Sequence, residues 1–81
     1  MRRCLLANDS PFLLLAFEDR LKDHFDAVET FENGLLALEA VKAQSIDYYQ
    51  AIVLDIQMPI MNGIEACIQI KKFFSETHEQ I

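Results

Sequence analysis

The sequence predicts an α/β domain of three βα units, wound as a parallel sheet of strand order 2-1-3 with helices on both faces. Three observations predict it. Short apolar runs of strand length alternate with longer amphipathic stretches of helix length. The connections between them are short throughout. The first and third runs are apolar on every residue, while the second alternates, so the first and third read as interior strands and the second as an edge. Strands that alternate with helices need crossover connections, and right-handed crossovers place helices on both faces of the sheet. Residues 1–81 are read as a single unit.

Taken in order, Cys4-Leu5-Leu6-Ala7 is a continuously apolar run that ends in Asn8-Asp9-Ser10-Pro11. That ending reads as a helix start. Ser10 or Asp9 can accept from the orphan N–H groups of the first turn, and Pro11 suits the first helical position, where its missing donor costs nothing. Leu14, Phe17, Leu21 and Phe25 recur at three- and four-residue spacing, against Glu18, Asp19, Arg20, Lys22 and Asp23. This is the pattern of an amphipathic helix. Ala27-Val28-Glu29-Thr30-Phe31 alternates and is rich in β-branched and aromatic residues, as a half-exposed strand should be. Asn33-Gly34 breaks it. Leu35, Leu38 and Val41 then share one face of a second helix. Ala51-Ile52-Val53-Leu54 is the third strand, and a third helix is expected from about Ile64 to Phe74.

Composition narrows the function. Seven basic residues against thirteen acidic ones leave a formal charge of −6, which disfavours nucleic acid and anionic lipid, since both need a basic face. An apolar share of 52% is too high for a disordered acidic tail. The apolar run after Arg2-Arg3 stops after four residues, short of a signal-peptide core. Phe12 to Phe17 is too short to span a bilayer. Cys4 and Cys67 lie far apart in apolar segments and read as two buried, reduced thiols. A cytoplasmic protein is the expectation.

In open α/β sheets, ligands bind outside the carboxyl ends of the strands where the strand order reverses. In a 2-1-3 sheet the ends of strands one and three flank that point, and they carry Asn8, Asp9 and Asp55. An aspartate directly after a strand is often only a turn former or helix cap. Its company points further. Two carboxylates and an amide oxygen on neighbouring strand ends repel unless a cation neutralises them, and an oxygen-only set suits a hard ion, Mg²⁺. Such an ion could also hold an incoming phosphoryl group against Asp55 acting as nucleophile. The chain has no Gly-rich phosphate loop, so Asp55 would itself be the acceptor.

The segment Val53-Leu54-Asp55-Ile56-Gln57-Met58-Pro59-Ile60-Met61-Asn62-Gly63 resembles the phosphoacceptor segment of two-component response-regulator receiver domains. That pattern is an apolar strand, Asp, two residues, Met-Pro, a spacer, Met, a spacer and Gly. Its physical sense is visible here. Pro59 disfavours helix at Met58, so the chain leaves the strand as a defined loop, and Gly63 is expected to permit a tight turn into helix three. The resemblance implies a partial flavodoxin-like (βα)3 fold. It implies that Asp55 accepts a phosphoryl group from a histidine kinase or phosphotransfer protein in a phosphorelay, without being an enzyme. It further implies Mg²⁺ held by Asp9, Asp55 and the backbone carbonyl of Gln57. Asn8 stands where an acidic residue is usual and would act through water, with weaker Mg²⁺ binding as the consequence.

Receivers of this kind have five βα units in order 2-1-3-4-5, and the resemblance covers three, so the chain reads as a receiver truncated at its C-terminal side. The fourth strand's hydroxyl residue and the fifth strand's aromatic and lysine have no counterpart here. Strand three would then keep a bare edge, which invites pairing. Helix three, with Ile64, Cys67, Ile68, Ile70, Phe73 and Phe74, has an apolar face wider than one sheet face covers. A homodimer through strand 51–54 and helix 64–74 is one expectation. The alternative function is a non-phosphorylated module for dimerisation or protein docking. Lesser features read as structure. Met58 and Met61 are loop packing, and Tyr48-Tyr49 one packed and one exposed ring. His24 and His78 have no metal-ligand spacing, and Ser75 to Gln80 form a frayed end.

Overall fold

The structure, a computed structural model, describes residues 1–78, with side chains through Glu76. Six elements follow the expected order: β1 (Arg3–Ala7), α1 (Pro11–Leu21), β2 (Ala27–Phe31), α2 (Gly34–Lys42), β3 (Ala51–Leu54) and α3 (Gly63–His78). The strands form one parallel sheet in the order β2-β1-β3. Cys4 pairs with Val28 on one side and Ala51 on the other, and Ala7 pairs with Phe31 and Leu54. A strand buried on both faces can be apolar on every residue, and Cys4, Leu5, Leu6 and Ala7 are all within 1% of complete burial. Burial also pushes the Cys4 thiol up, keeping it protonated and inert.

The two ends of each helix follow from local chemistry. Ser10 is extended, and its hydroxyl accepts from the Leu13 N–H at 3.3 Å, with Pro11 opening α1. Asp9 does not cap. Asn33 performs the same task for α2, its side-chain oxygen accepting from the Leu36 N–H at 2.9 Å. Arg20 and Lys42 sit in the last turns of α1 and α2, where the helix dipole favours positive charge.

The core lies between the sheet and the α2–α3 pair. Leu5 and Ala7 of β1 meet Ala37, Leu38 and Val41 of α2, Met58 of the loop after β3, and Ile70 of α3. Full burial of a leucine such as Leu5 contributes about 1.5–3 kcal/mol. α1 packs on β1 and β2 from the opposite face.

Several expectations are corrected here. β3 is not an interior strand among the described residues; it pairs with β1 alone, and its Val53 is 42% exposed. None of α1's residues is buried; Leu14 and Leu21 are half-buried and Phe17 is exposed, because α1 has no neighbouring helix among the described residues. Phe25 lies beyond the helix. Cys67 is exposed while Cys4 is buried, and both are free thiols, since Cys67 sits on the outer side of α3. That helix also runs to His78, past the point where fraying was expected; the predicted end at Gln80 lies outside the described residues.

Tyr48 and Tyr49 differ from expectation too. Both rings are half-buried and meet edge to face at 4.7 Å. Both phenols donate to the Glu29 carboxylate, each at 2.6 Å, and the Arg3 guanidinium lies 4.2 Å above the Tyr48 ring. The connection into β3 is thereby tied across β1 to β2, at the sheet end opposite Asp55. Desolvation and the Glu29 carboxylate push the Tyr49 phenol up, so it stays a donor across the physiological range. Replacing it by phenylalanine leaves a charged acceptor one bond short. Tyr49→Phe should therefore lower stability by about 1–2 kcal/mol, read as a shift of the urea midpoint without a change of slope.

Candidate functional site

The carboxyl ends of β1 and β3 come together through the backbone. The Asp55 N–H donates to the Ala7 carbonyl at 2.9 Å, and on the other side of β1 the Asn8 N–H donates to the Phe31 carbonyl at 3.0 Å. Asn8, Asp9 and Asp55 therefore leave the sheet at one place, as the 2-1-3 order requires. Asn8 is 5% exposed, Asp55 is half-buried and Asp9 is exposed.

Their side chains are unequally engaged. The Asn8 side-chain oxygen accepts from the Ser10 N–H at 2.9 Å, which fixes the turn from β1 into α1. No cation is needed to hold that turn. Among the described residues neither Asp9 nor Asp55 makes a salt bridge or a side-chain hydrogen bond. Two carboxylates without a partner, on adjacent strand ends, are hard oxygen donors of the kind a divalent ion takes. The set is lean. Among the described residues no group of three or more His, Cys, Asp or Glu side chains could hold a metal, because the third position is an amide.

The loop after Asp55 is positioned by two close approaches. The Gly63 N–H donates to the Ile56 carbonyl at 3.0 Å, and a Cβ on Gly63 would sit 2.0 Å from the Asp55 carbonyl oxygen. Neither glycine has positive φ. Gly63 is thus needed for space and not, as its place in the turn led one to expect, for backbone freedom. Gly34, at the start of α2, donates to the Met61 carbonyl at 2.9 Å, and a Cβ there would lie 2.4 Å from that oxygen. Met58 is buried in the core and Met61 packs against it, as expected of loop packing.

Two participants were not legible in the sequence. Ile60 adopts φ of 69°, a left-handed backbone rare for a β-branched residue, and nothing in its type announces this. The Gly34–Met61 contact joins segments far apart in the chain; Asn33-Gly34 shows a turn but not what it touches.

Comparison with known proteins agrees with this geometry. The profile of the response regulator receiver domain matches residues 4–79. The chemotaxis protein CheY of Halobacterium salinarum is 35% identical over 77 residues, covering 95% of this chain and 62% of that protein. CheY of Bacillus subtilis is 38% identical over 71 residues, covering 86% and 57%. Among solved structures, the response regulator TrrA of Thermotoga maritima in complex with Mg²⁺–BeF superposes with a TM-score of 0.74 at 25% identity, over 98% of this chain and 63% of that one. A complex of the histidine kinase ThkA with TrrA gives 0.76 at 30% identity, over 89% and 60%. The chain spans about three-fifths of the length of these relatives. It belongs to the response regulator receiver domain family of two-component signalling. The 2-1-3 parallel sheet with three helices is the receiver, flavodoxin-like arrangement over that span.

The close approach at Gly63 gives a direct test. Gly63→Ala must push the loop off the Asp55 carbonyl, and a loss of about 2–3 kcal/mol is expected, as for an overpacked site. Thermal unfolding followed by far-ultraviolet circular dichroism reads it, and an unchanged midpoint would remove the contact from the account.

Proposed function

We propose that this domain is a phosphoacceptor of a two-component phosphorelay, with Asp55 taking a phosphoryl group from a histidine kinase or phosphotransfer protein. The observation that supports the reading is the hydrogen bond from the Asp55 N–H to the Ala7 carbonyl, which sets Asp55 at the end of the strand next to the one that runs on into Asn8 and Asp9. In the reaction an Asp55 carboxylate oxygen attacks phosphorus and a new O–P bond forms as the donor's P–N bond breaks. The leaving imidazole nitrogen keeps the electron pair and takes a proton from solvent. The role of the domain is signalling and not turnover.

Asp9, Asp55 and the Gln57 carbonyl would hold Mg²⁺, with Asn8 contributing through water. Bound there, the ion would neutralise the two carboxylates and the incoming phosphoryl oxygens. The Asn8 amide oxygen already holds the Ser10 N–H, which leaves it one lone pair for a water. With one charge fewer than three carboxylates, the site binds the ion weakly. The partner is a protein and not nucleic acid or membrane, in keeping with the charge of −6. Among the described residues no helix is long and apolar enough to cross a bilayer, and the proposed location is the cytoplasm.

A second reading rests on a separate observation. Beside β3, which pairs on one side only among the described residues, Ile52, Leu54, Ile64, Cys67 and Ile68 line a groove of about 390 Å³. Such an edge and face fit a dimerisation or protein-docking module, with a homodimer through β3 and α3 as its simplest form. Light scattering across a concentration series tests the homodimer form of this reading, since a mass that stays monomeric removes it.

The acceptor reading is tested by intact mass after incubation with a small acyl phosphate and Mg²⁺. One phosphoryl group should add to the wild-type chain and none to Asp55→Ala, and a folded wild-type chain without adduct would favour the docking module. Asn8→Asp restores a carboxylate and should tighten Mg²⁺ several-fold by titration calorimetry. Equal affinity in the two proteins would place Asn8 outside the metal site.

A further inference from the structure

We infer that Gln50 is a positioning residue for Asp55 and that its side chain selects the register of β3 against β1. Two backbone hydrogen bonds bracket β3. The Gln50 N–H donates to the Arg3 carbonyl at 2.8 Å, and the Asp55 N–H donates to the Ala7 carbonyl at 2.9 Å. Between them the chain advances from residue 50 to 55 on one strand but only from 3 to 7 on the other, so the β3 side carries one residue more. An extra residue in one strand is a bulge, rare in parallel pairs, and it re-aims the residues that follow. It lies at the start of β3, because Cys4 to Ala7 pair in unbroken register with Ala51 to Leu54.

The Gln50 side chain holds the bulge. A parallel strand that ran on regularly from the bond between Gln50 and Arg3 would answer the Arg3 N–H with the Tyr48 carbonyl. Instead the Gln50 Oε1 accepts from that N–H at 2.5 Å, and its Nε2 donates to the Asp47 carbonyl at 2.7 Å, which fixes the amide in place. The regular alternative would bring the Leu54 N–H to Ala7 and turn every side chain of β3 to the other face. Asp55 would then stand about 3.3 Å further along the strand. The apolar pattern does little against this, since Ala51 to Leu54 are apolar throughout and meet apolar neighbours either way. β2 opens in the same manner, with the Asp26 carboxylate accepting from the Arg2 N–H at 2.7 Å. However, β2 alternates, and Glu29 with its two phenols holds it besides, so its register does not hang on one side chain. The inference deepens the acceptor reading and rests on it for what the register serves; the register itself does not depend on it.

The test is nuclear magnetic resonance of the isotope-labelled full chain, reading the scalar coupling across the hydrogen bond that ends on the Ala7 carbonyl. The controls are Gln50→Glu, which keeps an acceptor of the same length, and Asp26→Ala, which removes the matching contact at β2. In these and in the wild type the coupling should join Ala7 to Asp55 alone. In Gln50→Ala, and more weakly in Gln50→Asn, which falls one methylene short, a second set of β3 resonances should appear with Leu54 coupled to Ala7. Phosphoryl uptake from a small acyl phosphate with Mg²⁺ is read at a temperature where circular dichroism shows every chain folded. It should fall several-fold in Gln50→Ala and hold in the two controls. A single register in both Gln50→Ala and Gln50→Asn overturns the proposal. So does a second set in Asp26→Ala, which marks general loosening, or in Gln50→Glu, which denies the acceptor oxygen its part. Mixed registers with unchanged uptake overturn the link to Asp55. If the wild type takes up no phosphoryl group, the acceptor reading fails and takes the positioning role with it, while the couplings still report the register.

Discussion

The structure depends on β1 being paired on both edges and buried on both faces. Its last residue, Ala7, accepts from the Asp55 N–H, and the next, Asn8, donates to Phe31. These two hydrogen bonds lie where water is excluded, so breaking either would leave a buried polar group unsatisfied. They fix where β3 and β2 end relative to β1. Sheet register therefore sets where Asn8 and Asp55 leave the sheet relative to one another.

The core is one-sided. α2 and α3 close over Leu5 and Ala7 with Met58 sealing the end, whereas α1 covers its face of the sheet without a buried residue of its own. The unequal layers have a consequence for the site. The loop after Asp55 is built into the well-packed side, through Met58 and Met61, while Asp9 leads into α1. The loop after Asp55 is tied into the core, and the turn at Asn8 is held by its own side-chain hydrogen bond.

Much of this was legible from residue types and spacing. Four consecutive apolar residues at 4–7 with an alternating run at 27–31 gave the strand order, because burial on two faces and on one leave different patterns. Ser10-Pro11 and Asn33-Gly34 marked the helix starts by their capping chemistry. Asp9 and Asp55 followed from where the strands end. Tyr48 and Tyr49 were misjudged because their shared partner, Glu29, lies across the sheet and no local pattern shows it. Cys67 and the α1 leucines were misjudged because apolar spacing reports the face a helix offers and not whether anything covers it.

The sequence by itself determined the elements, their order and the acceptor candidate, since those rest on local periodicity, capping and the sharp change from apolar strand to aspartate. Tertiary structure alone decided the rest. It set the contact of Gly34 with Met61 and the squeeze of Gly63 against Asp55, and it forced Ile60 into left-handed backbone. Those features arise where segments distant in the chain compete for the same few ångströms, and a linear pattern carries no record of that competition.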